Sequence, residues 1–225
     1  QVPTLCEFWP TKKIRGQYDA IIMMNVLAHT STPTAMLAAA KAHLAPAGKI
    51  YVQTSQADWL EKLTIDCVYH EHHSYFTEQS FAALAQRCGL VVDTYQRVPI
   101  HSESHLFRVA LGGESASIPR PPVQSVYPYI ARRAHTLKNW LIARPEFPIL
   151  VGYGASAKAN TLLNFAQKQL DYIVDDNPQK QGYLTPGQDI PIVPPSHLAK
   201  DPREIVVLMT TWNFGEEIER KIKAL

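Results

Sequence analysis

The sequence predicts an α/β protein of two successive layers, the first built on a mixed sheet. Three observations carry this. Short apolar runs that end in polar residues recur along the chain, at Ala20–Met24, Lys49–Thr54, Ile149–Val151 and Glu204–Met209. Segments of helical period separate most of them, the repeating unit of a parallel sheet. A proline cluster at Pro119–Pro122 then reads as a seam, giving expected domains of 1–118 and 119–225.

Composition narrows the function classes. The chain has 225 residues, a formal charge of +2 and three cysteines, Cys6, Cys67 and Cys88. That length suits one large domain or two small ones. With no basic block and no acidic tail, nucleic acid is not an expected partner. No apolar run reaches membrane-spanning length, so a membrane is not expected either. Few, odd and widely spaced cysteines suit a reduced, cytoplasmic setting. The start at Gln1 rather than Met fits a piece of a longer product. Nothing in the sequence sets an oligomeric state.

In the first half, Ala20-Ile21-Ile22-Met23-Met24 reads as a strand buried on both faces. Asn25-Val26-Leu27-Ala28-His29 follows at its carboxyl end, where open α/β sheets place ligands. Asn25 either binds there or caps a turn. His29 is either an acid, base or orienting group, or a cap. Ser31 or Thr32 caps the next helix, with Pro33 in its first turn. Met36, Leu37, Ala40 and Leu44 form its apolar stripe, and Ala45-Pro46-Ala47-Gly48 ends it. Lys49–Thr54 is the next strand. Thr77 is a helix cap, Phe81, Leu84, Ala85 and Cys88 share a face, and Gly89 closes the helix. Leu90–Tyr95 and Leu106–Ala110 are expected as an antiparallel pair at one sheet edge. His101 and Glu103 then either face a site across that edge or sit on a solvated rim.

The second half begins with a long helix expected over Val126–Ile142. Ile149 to Lys158 reads as strand, glycine turn and helix start. Gly152 and Gly154 permit a tight turn and close approach of a phosphate or ribose to free amides. Lys158 is placed to neutralise a diphosphate. The full dinucleotide fingerprint is absent. Leu170–Asp176 supplies a strand whose terminal acids, Asp175 and Asp176, follow at the distance of a ribose-binding acid. Ile190–Val193, Glu204–Met209 and a closing helix from Glu216 to Lys223 complete a small Rossmann-like layer.

Tyr69-His70-Glu71-His72-His73-Ser74-Tyr75-Phe76 concentrates more groups able to move a proton near neutral pH than any other window. An extended strand would split them between two faces. They converge only if the backbone turns. The stretch is therefore either an irregular active-site loop or an ordinary loop whose histidines bond neighbouring elements. Cys67, His70 and His72 are chemically suited to a metal, but their spacing matches no closed zinc pattern.

Four stretches together resemble the S-adenosylmethionine-dependent C-methyltransferases that act on nucleotide-linked deoxysugars. They are Asn25-Val26-Leu27-Ala28-His29, Tyr69 through Phe76, Gly152-Tyr153-Gly154-Ala155-Ser156-Ala157-Lys158, and Thr211-Trp212-Asn213-Phe214. The resemblance covers nearly the whole chain. It implies the rear part of a methyltransferase domain, an incomplete Rossmann-like layer, followed by a carboxyl-terminal Rossmann-like domain. It further implies that the glycine-rich loop for S-adenosylmethionine, the ribose-binding acid and a zinc-binding domain lie before Gln1. Zinc is expected only in that absent domain, and no metal in this chain. The partner implied is a nucleotide-linked deoxyketosugar. His72 is implied as the general base, Glu71 and Tyr69 as orienting or polarising groups, and His29 as an assistant. Asn25 and Val26 are implied at the cofactor. Gly152, Tyr153, Gly154, Lys158 and His101 are implied at the substrate. The family's His-Gly-Gly-Ser segment reads His101-Ser102-Glu103-Ser104 here, a bulkier loop. The runner-up reading is a non-catalytic sugar-nucleotide-binding or scaffold fragment, and a third is a nicotinamide-dependent enzyme suggested only by the second glycine turn.

Overall fold

The computed structural model describes residues 3–55, 67–100, 103–118, 131–132, 135–136, 138–139, 149–166 and 170–225. These fall into two compact units. One takes the described residues of Gln1–Asp58 and His70–Val123, the other those of Trp59–Tyr69 and Gln124–Leu225. The chain passes between units at Tyr69–His70 as well as after the first sheet.

The first unit holds β1 (Tyr18–Met24), β2 (Leu44–Ser55), β3 (Val91–Val98) and β4 (Ser104–Ala110). Their order is β1-β2-β4-β3. β1 and β2 run parallel, while β4 pairs antiparallel with both β2 and β3. The sheet is mixed, as expected. β3 and β4 form the expected antiparallel pair at one end of the sheet, with β3 outermost.

Two helices cover one face of this sheet. α1 (Pro33–Ala42) has Pro33 in its first turn, where a missing N–H costs nothing. Thr32 occupies the cap position without a side-chain cap bond. α2 (Glu78–Arg87) is capped as its sequence expects. The Thr77 hydroxyl accepts from the Ser80 N–H, and the Ser80 hydroxyl accepts from the Thr77 N–H. Gly89 follows at φ +65°. Leu37 and Ala40 of α1 join Phe81, Leu84 and Ala85 of α2 in one cluster with Met23, Ile50, Val52, Phe107 and Val109. Phe81 stacks on Phe107 with ring centroids 3.9 Å apart.

Both helices lie on the same face, which corrects the reading of β1. Met23 is buried, but Ile22 is 65% exposed and Tyr18 and Met24 are exposed with it. Only one face of β1 is covered among the described residues. A second correction concerns Leu44, expected on the apolar stripe of α1, and Ala45–Gly48, expected as the turn that ends it. They begin β2: Leu44 pairs with Tyr18, and the register then jumps so that Lys49 meets Ala20. The irregularity accommodates Pro46, which has no N–H for a ladder.

The second unit is an all-parallel sheet of β5 (Leu150–Tyr153), β6 (Ile173–Val174), β7 (Ile192–Val193) and β8 (Val206–Met209), in the order β7-β6-β5-β8. α3 (Ala157–Ala166) and α4 (Gly215–Lys223) complete it. Ala159, Leu163 and Ala166 pack with Leu150, Ile173 and Ile190 in one cluster. Ile218 packs with Val151, Tyr153, Tyr172 and Val174 in another. A parallel sheet covered on both faces is the arrangement its near-continuous apolar strands require. β6 is shorter than the expected strand over Leu170–Asp176. The long helix expected over Val126–Ile142 lies largely outside the described residues, and those described within it are helical.

Candidate functional site

The first unit builds its candidate site where β1 ends. Asn25 takes φ +53°, a left-handed conformation that asparagine tolerates better than most residues. Its N–H donates to the Gln53 carbonyl at 3.0 Å, extending the β1–β2 ladder by one bond. The chain then makes a short 3₁₀ turn, Leu27–His29, held down by the buried side chains of Leu27 and Ala28. Val26 and His29 stay exposed.

That turn supports the histidine-rich loop. The Ala28 carbonyl accepts from the N–H groups of both His73 and Ser74, at 2.9 and 3.2 Å. These bonds bring His72 against the turn. Its ring meets His29 edge-on, with centroids 4.7 Å apart at 73°, and meets Tyr75 at 5.6 Å and 71°. His72 is 8% exposed, whereas His70, Glu71 and His73 on either side of it are open to solvent. The loop thus buries one imidazole and pairs it with an exposed one. A shielded imidazole beside a second ring can hold or accept a proton at neutral pH.

Two buried oxygens lie at the same end of the sheet. Asn25 Oδ1 and Thr54 Oγ1 have no hydrogen-bond partner among the described residues. Buried polar atoms are rarely left so. They sit at the carboxyl ends of adjacent parallel strands, where a ligand supplying a hydroxyl or amino group would satisfy them. Thr54 was not singled out from sequence, since a lone threonine at a strand end carries no signal.

The remaining candidates are placed elsewhere. Tyr69 is half-buried and belongs to the second unit, and His101 lies outside the described residues. Glu103 accepts from Arg97 Nη1 at 3.3 Å. In the second unit, Gly152 is a strand residue, not part of the turn. A Cβ there would stand 2.8 Å from Ile173 Cγ1, so packing requires this glycine. Tyr153 is buried and its hydroxyl donates to Asp176. Burial, and then Asp176, push that phenol up to about 12. Gly154 forms the turn at φ +99°. Its N–H donates to the Val174 carbonyl, and its carbonyl accepts from the Thr210 hydroxyl. Lys158 Nζ stands 4.9 Å from the centroid of the Trp212 ring, a cation–π contact.

The two acids read as ribose ligands are already engaged. Asp175 accepts from the Ala155 N–H at 2.8 Å, from the Asn177 N–H, and from Lys180 Nζ at 3.2 Å. Asp176 accepts from Tyr153 and from Lys221. Asp175 therefore closes the glycine turn from within. Among the described residues, no group of three or more His, Cys, Asp or Glu is assembled that could hold a metal ion. No described helix is long and apolar enough to cross a membrane.

Comparison with known proteins agrees with this two-unit layout. Residues 7–95 match a family described as a methyltransferase domain, and residues 131–225 match the C-methyltransferase C-terminal domain. The C-methyltransferase NovU of Streptomyces niveus is 26% identical over 215 residues, covering 85% of this chain and 50% of that protein. The crystal structure of TnmH overlaps 44% of this chain and 32% of its own, at 20% identity and a TM-score of 0.35. Magnesium protoporphyrin IX methyltransferase from Synechocystis PCC 6803, with bound S-adenosylhomocysteine, overlaps 43% and 46% at 14% identity and a TM-score of 0.33. Overlaps so partial carry no residue-level comparison. The two family matches and the relative all lie among methyltransferases. Over these stretches the chain is similar to C-methyltransferases. It spans about half the length of the curated relative it matches.

Proposed function

We propose that this chain provides the base-bearing part of an enzyme that methylates the carbon beside the ketone of a nucleotide-linked deoxyketosugar. The observation that carries the reading is the burial of His72 against His29 at the carboxyl end of β1.

The protons beside a ketone are acidic because the electron pair left behind moves onto oxygen. His72 takes one such proton, the C–H bond breaks, and an enolate forms. Its carbon is then the nucleophile for methylation. His29 packs on the ring of His72 and limits its rotation. Glu71, beside His72 in the chain, has the role of orienting the base. S-adenosylmethionine, when bound, supplies the electrophilic methyl group. Asn25 and Thr54 fit part of such a cofactor, since both present buried oxygens able to accept from amino or hydroxyl groups. In the second unit, Lys158 has the role of holding a diphosphate by charge, while Gly154, its N–H bonded to Val174, shapes the turn rather than offering a free amide. Gly152 and Tyr153 support that turn from the sheet.

Deuterium exchange tests this directly. The enzyme containing this chain is incubated with ketosugar nucleotide in deuterated water, with S-adenosylhomocysteine in place of the methyl donor. NMR then follows the proton beside the carbonyl. Wild type is expected to exchange it and His72→Ala is not. Exchange at the wild-type rate in the variant removes His72 as the base. Binding of the nucleotide sugar with no exchange in wild type favours a non-catalytic binding role.

A further inference from the structure

We infer that Glu78, Tyr95 and His105 form a positioning relay that fixes the loop carrying His72. None of the three touches a reacting group. They act through the loop, and the inference rests on His72 serving as the base.

The loop has two anchors. One is the Ala28 carbonyl, which holds the His73 and Ser74 amides. The other is the start of α2. Phe76 meets Phe81 edge-on at 5.9 Å, Thr77 caps the helix, and Glu78 is its first residue. Glu78 is bound to the sheet beneath it. Tyr95 of β3 donates to Glu78 Oε1 at 2.6 Å, and Arg97 Nη2 of β3 donates to the same oxygen at 2.9 Å. Arg97 is oriented in turn by Glu103 at 3.3 Å. The carboxyl end of the loop is therefore clamped by charge-assisted bonds on a half-buried carboxylate, stronger than neutral ones.

The relay continues into the sheet. Tyr95 Oη lies 3.1 Å from His105 Nδ1, and His105 is 1% exposed. The phenol has one proton, and Glu78 takes it. Arg97 Nε also donates to the phenol oxygen, at 3.1 Å. The bond with His105 must then run from Nδ1–H to the phenol oxygen. This fixes the imidazole as the Nδ1–H tautomer. His105 is opposite Thr54 in the β2–β4 register and stacks on Phe107, so the relay ends in the packed face under α2. Burial pushes the Glu78 carboxyl up, but bonds from Tyr95 and Arg97 outweigh it and hold it below the ordinary range. Among the described residues, the charged or titratable groups facing Glu78 are Tyr95 and Arg97 from β3 and His105 from β4, the last at 4.0 Å. The sole charged residue of α1, Lys41, is engaged at the Cys88 carbonyl.

Amide hydrogen exchange on the isotopically labelled protein tests the relay without any assay of methylation. Glu78→Gln and Tyr95→Phe are each expected to lower the protection of the His73 and Ser74 amides roughly tenfold or more. The Val151 amide in the second unit is expected to hold. In wild type, that loop protection is lost as the pH falls through the lowered value of Glu78. In Glu78→Gln this acid step is absent, an outcome that loss of packing alone would not give. Long-range nitrogen–proton NMR spectra are expected to show His105 protonated on Nδ1. Unchanged protection in both variants, or a neutral His105 protonated on Nε2, overturns the inference. Should Glu78→Gln unfold the unit, Tyr95→Phe keeps the ring packing and decides alone. In the methylating enzyme, Tyr95→Phe is further expected to lower kcat with KM little changed. Lost protection in a protein that shows no proton exchange on ketosugar would leave the relay standing and refute the base.

Discussion

His72 and His29 meet edge to face with ring centroids 4.7 Å apart, one buried and the other open to solvent. Neither ring is held there by its own strand. The Ala28 carbonyl, one residue before His29, anchors the two residues that follow His72. The pair is thus a product of backbone bonds between the 3₁₀ turn and the loop.

For this reason His72→Ala and His73→Ala are expected to differ sharply. The first removes the buried ring and lowers turnover of the methylating enzyme by roughly 10²–10⁴-fold, the usual contribution of a positioned general base. Substrate affinity changes far less. The second removes an exposed ring but leaves the backbone bond to Ala28, so turnover changes little. Steady-state kinetics on the two variants checks both.

The glycines of the second unit separate by position. Gly154→Val is expected to damage folding of that unit, because φ is +99° and a Cβ would approach Thr211 Cγ2 at 2.7 Å. Among the described residues Lys158→Ala removes the contact with Trp212, and folding is expected to hold. Its effect is expected on affinity for a nucleotide diphosphate, read by calorimetry. Equal affinity in wild type and variant removes Lys158 from the site.

Phe81→Ala is expected to destabilise the first unit by about 3–5 kcal/mol, the usual effect of deleting a buried phenylalanine. Phe81 is fully buried and stacks on Phe107 in the centre of the cluster. Urea unfolding followed by near-ultraviolet signal measures it.

Acid sensitivity has an identifiable source at the sheet edge. Burial pushes the Asp93 carboxyl up, but hydrogen bonds from Lys49 and Arg108 outweigh it and leave it below the ordinary range. A carboxylate depressed in the folded state stabilises fully above its unfolded value of about 3.9, and the stabilisation is lost as pH falls through the folded value. Asp93→Asn is therefore expected to flatten the acid limb of the first unit's stability curve. An unchanged limb in urea titrations at several pH values would count against this.

The elements most legible from sequence were those whose signals are local. Thr77 and Gly89 bracket α2, and the glycine turn marks the end of β5. The early start of β2 was not legible, because Pro46 and Gly48 are turn residues and the pairing of Leu44 with Tyr18 is decided by tertiary contact. The exposed face of β1 was hidden for a similar reason. Ile22 and Met24 are as apolar as Met23, and only the placement of both helices on one side distinguishes them. At the site, His72 stood out by its company. Tyr95 and His105 did not, since they are 17 and 27 residues from Glu78. The alternation of Tyr95 with Arg97, opposite His105 on the next strand, was the available clue.

The open flank of β1 has a further consequence for handling the protein. Tyr18, Ile22 and Met24 line an exposed face of a strand that, among the described residues, has a neighbour on one side only. Such a ribbon is adhesive: its free backbone groups template another strand, and its side chains reward the contact. Concentrated solutions of this polypeptide are therefore expected to cluster through β1, with scattering that rises steeply with concentration. A charge placed at the strand's centre, Ile22→Lys, should disperse the clusters while leaving Met23 and the helices beneath it in place.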